Sequence, residues 1–275
     1  MDQLSSLLRR FKLSARVFHT GELCGLSDYG KEGDVGHLHL VRAGTVTVHH
    51  PGNPSLHIDT PTLLFYPRAL SHRLVVPPNS AAEVLCATIA FQNGAQNPLA
   101  RALPDYLQIA LDRLAELAPT LGLLFDEAFR SRSGKQLILD RLCDVLVVQV
   151  IRHAIETNQV ATGMLAGMAD AGLAHALMSM HDDPAQPWNL EQLAKLAGMS
   201  RSRFAARFHE VVGTTPADYL TGWRIVLAQS LLEKNRPVKT VALDVGYGSQ
   251  PAFTKAFTSR IGMSPRAWLQ RTRSG

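Results

Sequence analysis

Three histidines, a few thiols and two runs of polar side chains near the far end of the chain are the residues that could do chemistry. His37 and His39 are separated by one residue, so on a strand both rings point to the same face, and with His72 they could share a metal ion. The plainer reading of the same rings is hydrogen-bonded histidines inside a β-barrel. Cys24 and Cys86 would make a reversible dithiol if their Cβ atoms approach to ~3.5–4.5 Å. Cys143 lies in an apolar helical stripe and reads as an inert core thiol. Tyr29, Phe65, Tyr66, Arg68 and Arg73 could line a pocket for a small molecule, and either arginine could grip a carboxylate with two nitrogens. Near the carboxyl end stand Arg201, Ser202, Arg203, Ala205, Ala206 and Arg207, then Ser249, Gln250, Pro251, Ala252, Thr254 and Lys255. Their chemistry suits nucleic acid: glutamine pairs with adenine, lysine reaches guanine or phosphate, and alanine can touch only a thymine methyl. For an arginine, phosphate is the commoner partner.

The elements that must hold the second set are legible as a repeat. In Val238 to Pro265, apolar residues at helical spacing (Val241, Val245, Phe253, Phe257) are interrupted by Gly246-Tyr247-Gly248. A helix, a glycine turn and a second helix form a helix-turn-helix. Ser249 is placed to cap the second helix, and Gly262 and Pro265 to end it. Leu190 to Pro216 has the same layout: Ser200 aligns with Ser249, Phe204 with Phe253, Phe208 with Phe257, Gly213 with Gly262 and Pro216 with Pro265. The period is 49 residues, and a repeat of caps, phenylalanines and terminal prolines together outweighs any single motif. Ala217 to Asn235, with Leu220, Trp223, Leu227, Leu231 and Leu232 on one face, would be the connecting helix; Arg224 reads as solvated or phosphate-touching.

Composition divides the chain in the same way. The net charge of +5 is unevenly shared: residues 182–275 hold 13 basic and 7 acidic residues, and the other 181 hold 15 and 16. A basic carboxyl-terminal third beside a near-neutral remainder suits a separate polyanion-binding domain. No apolar run approaches the ~20 residues of a membrane span, and the amino terminus lacks a signal-peptide core. A cytoplasmic protein without a membrane partner is therefore expected. Three cysteines, an odd number, do not make a disulfide framework.

Residues 1–15 read as a short amphipathic helix with Leu4, Leu7, Leu8 and Phe11 on one face. From Ala15 to about Phe91 short alternating segments separated by Arg42-Ala43-Gly44 and Pro51-Gly52-Asn53 turns point to a β-sandwich or barrel. From Pro104 to about His181 helical periodicity returns, with Leu107, Leu111, Leu114 and Leu117 as one stripe and Leu142, Leu146, Val147 and Ile151 as another. The second could pack on the barrel or on a second copy of the chain. The expected domains are thus 1–103, 104–181 and 182–275.

The paired units resemble the DNA-binding domain of the AraC/XylS family of bacterial transcription regulators. Ala242 through Pro265 follows that family's A-x-x-x-G-[FY]-x-S-x-x-x-F-x-x-x-F-x-x-x-x-G-x-[ST]-P pattern. The strand and turn order before it resembles a small cupin barrel, which in this family commonly forms the sensor. The implied fold is a multidomain α and β chain: an amino-terminal cupin-like β-barrel, a central helical segment and an all-α domain with two helix-turn-helix units. The resemblance implies that Ser202, Ala205 and Ala206 face base edges, that promoter DNA and RNA polymerase are partners, that some dimer contact exists, and that the protein is an activator rather than an enzyme. Cupin metal sites add a glutamate shortly after the H-x-H pair, where this chain has Val41, Arg42 and Ala43, and an arginine there would oppose a cation. No resident cofactor is expected. Met1-Asp2-x-Leu4-Ser5-x-Leu7-Leu8 with Cys24 and Cys86 resembles the reactive-chlorine-sensing subgroup, in which matching cysteines are implicated in oxidant sensing. A small-molecule effector in the barrel, a cupin enzyme with an accessory DNA-binding domain, and an architectural DNA-binding protein remain alternatives.

Overall fold

The alternating segments of the first third form antiparallel strands: β1 (Leu13–Leu23), β2 (Leu26–Tyr29), β3 (Gly36–Ala43), β4 (Val46–His49), β5 (Leu56–Ile58), β6 (Thr62–Tyr66), β7 (His72–Val75), β8 (Ala82–Phe91) and β9 (Leu107–Ala110). The computed structural model describes residues 3–30, 34–92, 94, 97–157, 159–160 and 162–274. Met1 and Asp2 of the opening motif lie outside them. One sheet runs β1-β8-β3-β6-β9 and the other β2-β7-β4-β5. Between them, Val41, Val46, Val48, Ile58, Leu64, Leu74, Val84 and Cys86 form one core.

Leu107–Ala110 corrects the expected helical stripe. Leu107 pairs with Phe65 and Ile109 with Leu63 across from β6. Leu107 and Ile109 are buried while Gln108 is exposed, the period of two that a strand imposes.

The long apolar helix packs on the barrel. α1 (Gln3–Arg10) precedes β1 and α2 (Pro98–Ala102) follows β8; the long helix is α4 (Lys135–Glu156), which lies against β1 and against α3 (Ala118–Ala128). β1 is an edge strand, whose outward amides would otherwise lack partners. Asp140 accepts the amide of Val17 at 2.8 Å and Asp144 that of Ala15 at 2.7 Å. Leu139, Cys143, Leu146, Val147, Val150, Ile151 and Ala154 are the buried side of the helix, and burial pushes the Cys143 thiol up to about 12, with Asp140 and Asp144 adding to it.

The second compact unit begins at residue 160, not 182. The expected middle segment is therefore divided: α3 and α4 belong to the barrel unit, and α5 (Met164–Ala169) and α6 (Ala174–Asp182) to the helical one. The reason is packing, since Leu173, Ala176, Leu177 and Met180 share a core with Leu193, Phe204, Phe208 and Leu220. Then come α7 (Leu190–Leu196), α8 (Arg201–Val212), α9 (Pro216–Glu233), α10 (Val238–Asp244), α11 (Gln250–Ile261) and α12 (Pro265–Ser274). α8 and α11 are both 12 residues long and end on Gly213 and Gly262 with φ of 79° and 80°, the left-handed conformation that glycine adopts without strain. Phe253 and Phe257 occupy in the second core, with Ile225, Leu232, Val241 and Val245, the places of Phe204 and Phe208 in the first. Among the described residues no helix is long and apolar enough to cross a membrane.

Candidate functional site

Two sets of residues call for a chemical account. The first faces the inside of the barrel. His37 and His39 are both directed inward from β3, as their spacing requires, and His72 meets them from β7 in the opposite sheet. The three ring centroids are 5.1–5.8 Å apart. Tyr29 lies 4.7–5.3 Å from all three rings, and Tyr66 stacks on His72 at 3.9 Å.

The polar contacts explain how such a cluster persists in a core. The Nδ1–H of His72 donates to the Leu70 carbonyl at 2.7 Å, which leaves its Nε2 to accept from His39 Nε2, 2.9 Å away. His50 Nε2 and the Tyr66 hydroxyl are 2.9 Å apart. Nδ1 of His37, of His39 and of His50 is buried without a hydrogen-bond partner. Burial holds His37 below the usual imidazole range; it holds His39 well below, with His72 and His37 adding repulsion. His72 is lowered to about 4, by burial first, against the Leu70 hydrogen bond, with His37 and His50 adding to the lowering. The rings are therefore neutral at pH 7.

The histidines come together as rings but not as a ligand set. The nitrogens of His39 and His72 point at each other, no carboxylate joins them, and no group of three or more His, Cys, Asp or Glu among the described residues is arranged to hold a metal. These residues do not fit a metal as they stand. The expected electrostatic obstacle is also absent, because Arg42 is directed outward to Glu83 and lies over Phe129. Next to the cluster opens a cleft of ≈ 660 Å³, lined by Tyr29, His49, His50, His72 and Arg73 among others. Arg73 is paired there with Asp28 at 2.6 Å. Of the other expected lining residues, Phe65 is buried on the opposite face of its strand from Tyr66, and Arg68 is held by the carbonyls of Ala100 and Leu103 and by Asp105.

The structure does not bring Cys24 and Cys86 together. Cys86 pairs with His19 on β1, and the register continues to Leu23 opposite Ala82. Cys24 is thus five residues past the partner of Cys86, roughly 16 Å along a strand, whereas a disulfide needs Cα atoms within about 7 Å. Cys24 is exposed and Cys86 buried. Burial pushes the Cys86 thiol up to about 12, opposed by a hydrogen bond from the Tyr29 hydroxyl at 3.8 Å. A thiol so raised is a poor nucleophile at pH 7.

The second set lies on α8 and α11. Ser200 Oγ accepts the Arg203 amide and Ser249 Oγ that of Ala252, so both helices start at capped, defined positions. Each begins after a tight turn, with Gly198 at φ 63° and Gly246 at φ 86°. Arg201, Ser202, Arg203 and Ala206 are exposed on α8, with Ala205 half-buried. On α11, Gln250, Pro251, Thr254 and Lys255 line one shallow concave face, and Thr258 and Ser259 extend it. Sequence reasoning missed those two, although Thr258 follows Lys255 and Thr254 at the i+3 and i+4 steps that mark one helix face. Arg207 differs from expectation: Asp170 binds its Nε and Nη2 at 2.9 and 2.7 Å, and Glu210 its Nη1 at 3.0 Å. Arg224 also differs, since its guanidinium donates to the carbonyls of Pro184 and Gln186 and lies over Tyr247.

The profile of the cupin family matches residues 2–156, and that of a helix-turn-helix domain matches residues 193–271. The chain belongs to the AraC/XylS family, with a cupin amino-terminal domain. An HTH-type transcriptional regulator of Haemophilus influenzae is 28% identical over 291 residues, 96% of each chain. The RCS-specific HTH-type transcriptional activator RclR of Escherichia coli K12 is 28% identical over 284 residues, 99% of each chain. A putative AraC-like transcription regulator of Streptomyces antibioticus is 43% identical over 131 residues, 47% of this chain and 43% of that one. This AraC/XylS member is a transcription regulator.

Proposed function

We propose that this regulator is an activator that binds promoter DNA through the outer faces of α8 and α11, and that its barrel receives a chemical signal, reactive chlorine. The observation that carries the DNA reading is the pair of capped, 12-residue helices at a 49-residue period, each with a polar outer face. Ser202, Ala205 and Ala206 would meet base edges from α8, with Arg201 and Arg203 on phosphates. Gln250, Thr254 and Lys255 would read from α11, Pro251 lying in its first turn, where a missing amide costs little. Replacing Gln250 and Lys255 together by alanine should abolish sequence-selective binding in a gel-shift titration. Selectivity kept by that double variant would remove α11 as a reading helix.

Similarity to an RCS-specific activator over the whole chain supports the oxidant signal. A Cys24–Cys86 bond would require β1 to part from β8 over its last residues, a rearrangement large enough to act as a switch. Free thiols counted by intact mass before and after a stoichiometric hypochlorite pulse test it: a reversible bond, absent in Cys24→Ser, is expected. Two thiols left unlinked would end that mechanism. The cleft beside His72 favours the second reading, a small-molecule effector held by Tyr29, His50 and Arg73.

A further inference from the structure

Arg207 is the arginine of α8 whose guanidinium is occupied by the protein itself, and the arrangement is specific. Asp170 stands at the end of α5, with its side chain only 12% exposed. One carboxylate oxygen accepts the amides of Gly172 and Leu173, each at 3.0 Å, which shapes the turn into α6. The other accepts both Nε and Nη2 of Arg207. The same α5–α6 hairpin holds α8 at two more places. Gly163 donates its amide to the Val211 carbonyl at 3.0 Å, and Gly167 lies so close to Val212 and Leu177 that a Cβ there would collide with both. Arg207 is four residues from Val211 and five from Val212, so the hairpin grips more than one turn of α8 along one side.

We infer that Arg207 is a positioning residue rather than a DNA contact, and that its bond to Asp170 sets the rotation of α8 about its own axis. This rests on α8 being a reading helix. The residues α8 presents to base edges are short: Ser202, Ala205 and Ala206. Short side chains cannot swing to compensate for a turned helix, so the contact of this first head depends on the backbone being held in place. An arginine that donates three hydrogen bonds to carboxylates of its own chain fills that role, as a planar fork with several fixed donors does better than a flexible ammonium.

The competing view, that Arg207 binds phosphate and Asp170 merely competes for it, predicts opposite signs. The probe is a duplex selected from a random pool by the full-length wild-type protein, with Kd measured across a salt series. Asp170→Asn removes the charge but keeps an oxygen for the Gly172 and Leu173 amides. It should weaken binding about tenfold with no change in the slope of log Kd against log salt. Arg207→Gln should weaken binding similarly, again with the slope unchanged, whereas losing a phosphate contact lowers the slope by about one. Tighter binding by Asp170→Asn, or a slope lowered by about one in Arg207→Gln, overturns the assignment. If either variant unfolds, the other decides alone. Failure of the wild-type protein to select any duplex would instead refute α8 and α11 as reading helices, before any variant is made.

Discussion

Acid should unfold the barrel before it unfolds the helical unit, and His72 should be a main cause. His72 is 2% exposed, enclosed by Tyr29 and Tyr66, and faced by His37, His39 and His50. Its pKa is lowered from 6.5 to about 4 in the folded protein. A histidine held neutral by folding is protonated more readily in the unfolded chain, so stability falls as pH drops below 6.5 and the loss is complete below about 4. At pH 5 the unfolded form has taken up its proton and the folded form largely has not. Because pH 5 lies about 1.5 below the unfolded value of 6.5, the loss reached there is about 2 kcal/mol, or roughly 4–8 °C in the transition of a unit of this size. His37 and His39 are shifted in the same direction and add to the fall.

The measurement is calorimetry of the full-length, EDTA-treated protein at pH 7 and pH 5, beside His72→Gln. All three tryptophans, Trp188, Trp223 and Trp268, lie in the helical unit, so tryptophan emission follows that unit and the remaining heat follows the barrel. The glutamine variant loses some packing at both pH values, so the fall between them is the quantity to compare. It should be smaller in the variant by about 2 kcal/mol. A wild-type barrel equally stable at both pH values, or a variant that falls in parallel with it, would refute the account of a neutral, buried His72.

Gly246→Ala should destabilise the helical unit by roughly 2–4 kcal/mol. Its φ is 86°, and a Cβ would come within 2.7 Å of Ala185 Cα and 2.8 Å of its carbonyl oxygen. Gly248→Ala, with nothing within 4 Å of its Cβ, is the control and should leave the tryptophan-detected transition nearly in place. Asp144→Ala removes the acceptor of the Ala15 amide and should cost the barrel about 1–3 kcal/mol. Hydrogen exchange at Ala15 should accelerate in that variant, and unchanged protection would show that the edge strand is held by something else.

What was legible in the sequence follows from the range of the forces involved. Ser200 and Ser249 bond amides three residues away, and Gly213, Gly262, Pro216 and Pro265 act within a single turn, so the helical repeat can be read from short windows. The H-x-H alternation on β3 is equally local. Leu107 was misread because Leu107, Leu111, Leu114 and Leu117 satisfy a helical period, while the strand pattern Leu107-Gln108-Ile109 needs β6 beside it to be decisive. The partner of Arg207 is 37 residues away in sequence, where no local rule reaches. The separation of Cys24 from Cys86 depends on the β1–β8 register, which shifts between Val17 and His19. Two cysteines in one barrel say nothing about register.

The two helices proposed to read DNA divide their chemistry unequally, and the division is consistent with how each is held. α11 presents Gln250, Thr254 and Lys255, side chains long enough or polar enough to adjust to a base pair. It is tied to α9 through Arg260, which donates to the carbonyl and carboxylate of Asp218. α8 presents serine and alanines, and the hairpin holds it by the Gly163 amide, by close packing at Gly167 and by Asp170. A head that reads with short side chains would gain selectivity from where its backbone lies, because a gap of about 0.5–1 Å already forfeits about a quarter to a half of a van der Waals contact. α5, which carries Asp170 at its end, is also the first helix after the boundary near residue 160. Asp170→Asn should therefore alter selectivity at the bases that α8 is proposed to read more than at those that α11 is proposed to read, and equal loss at both heads would refute this division.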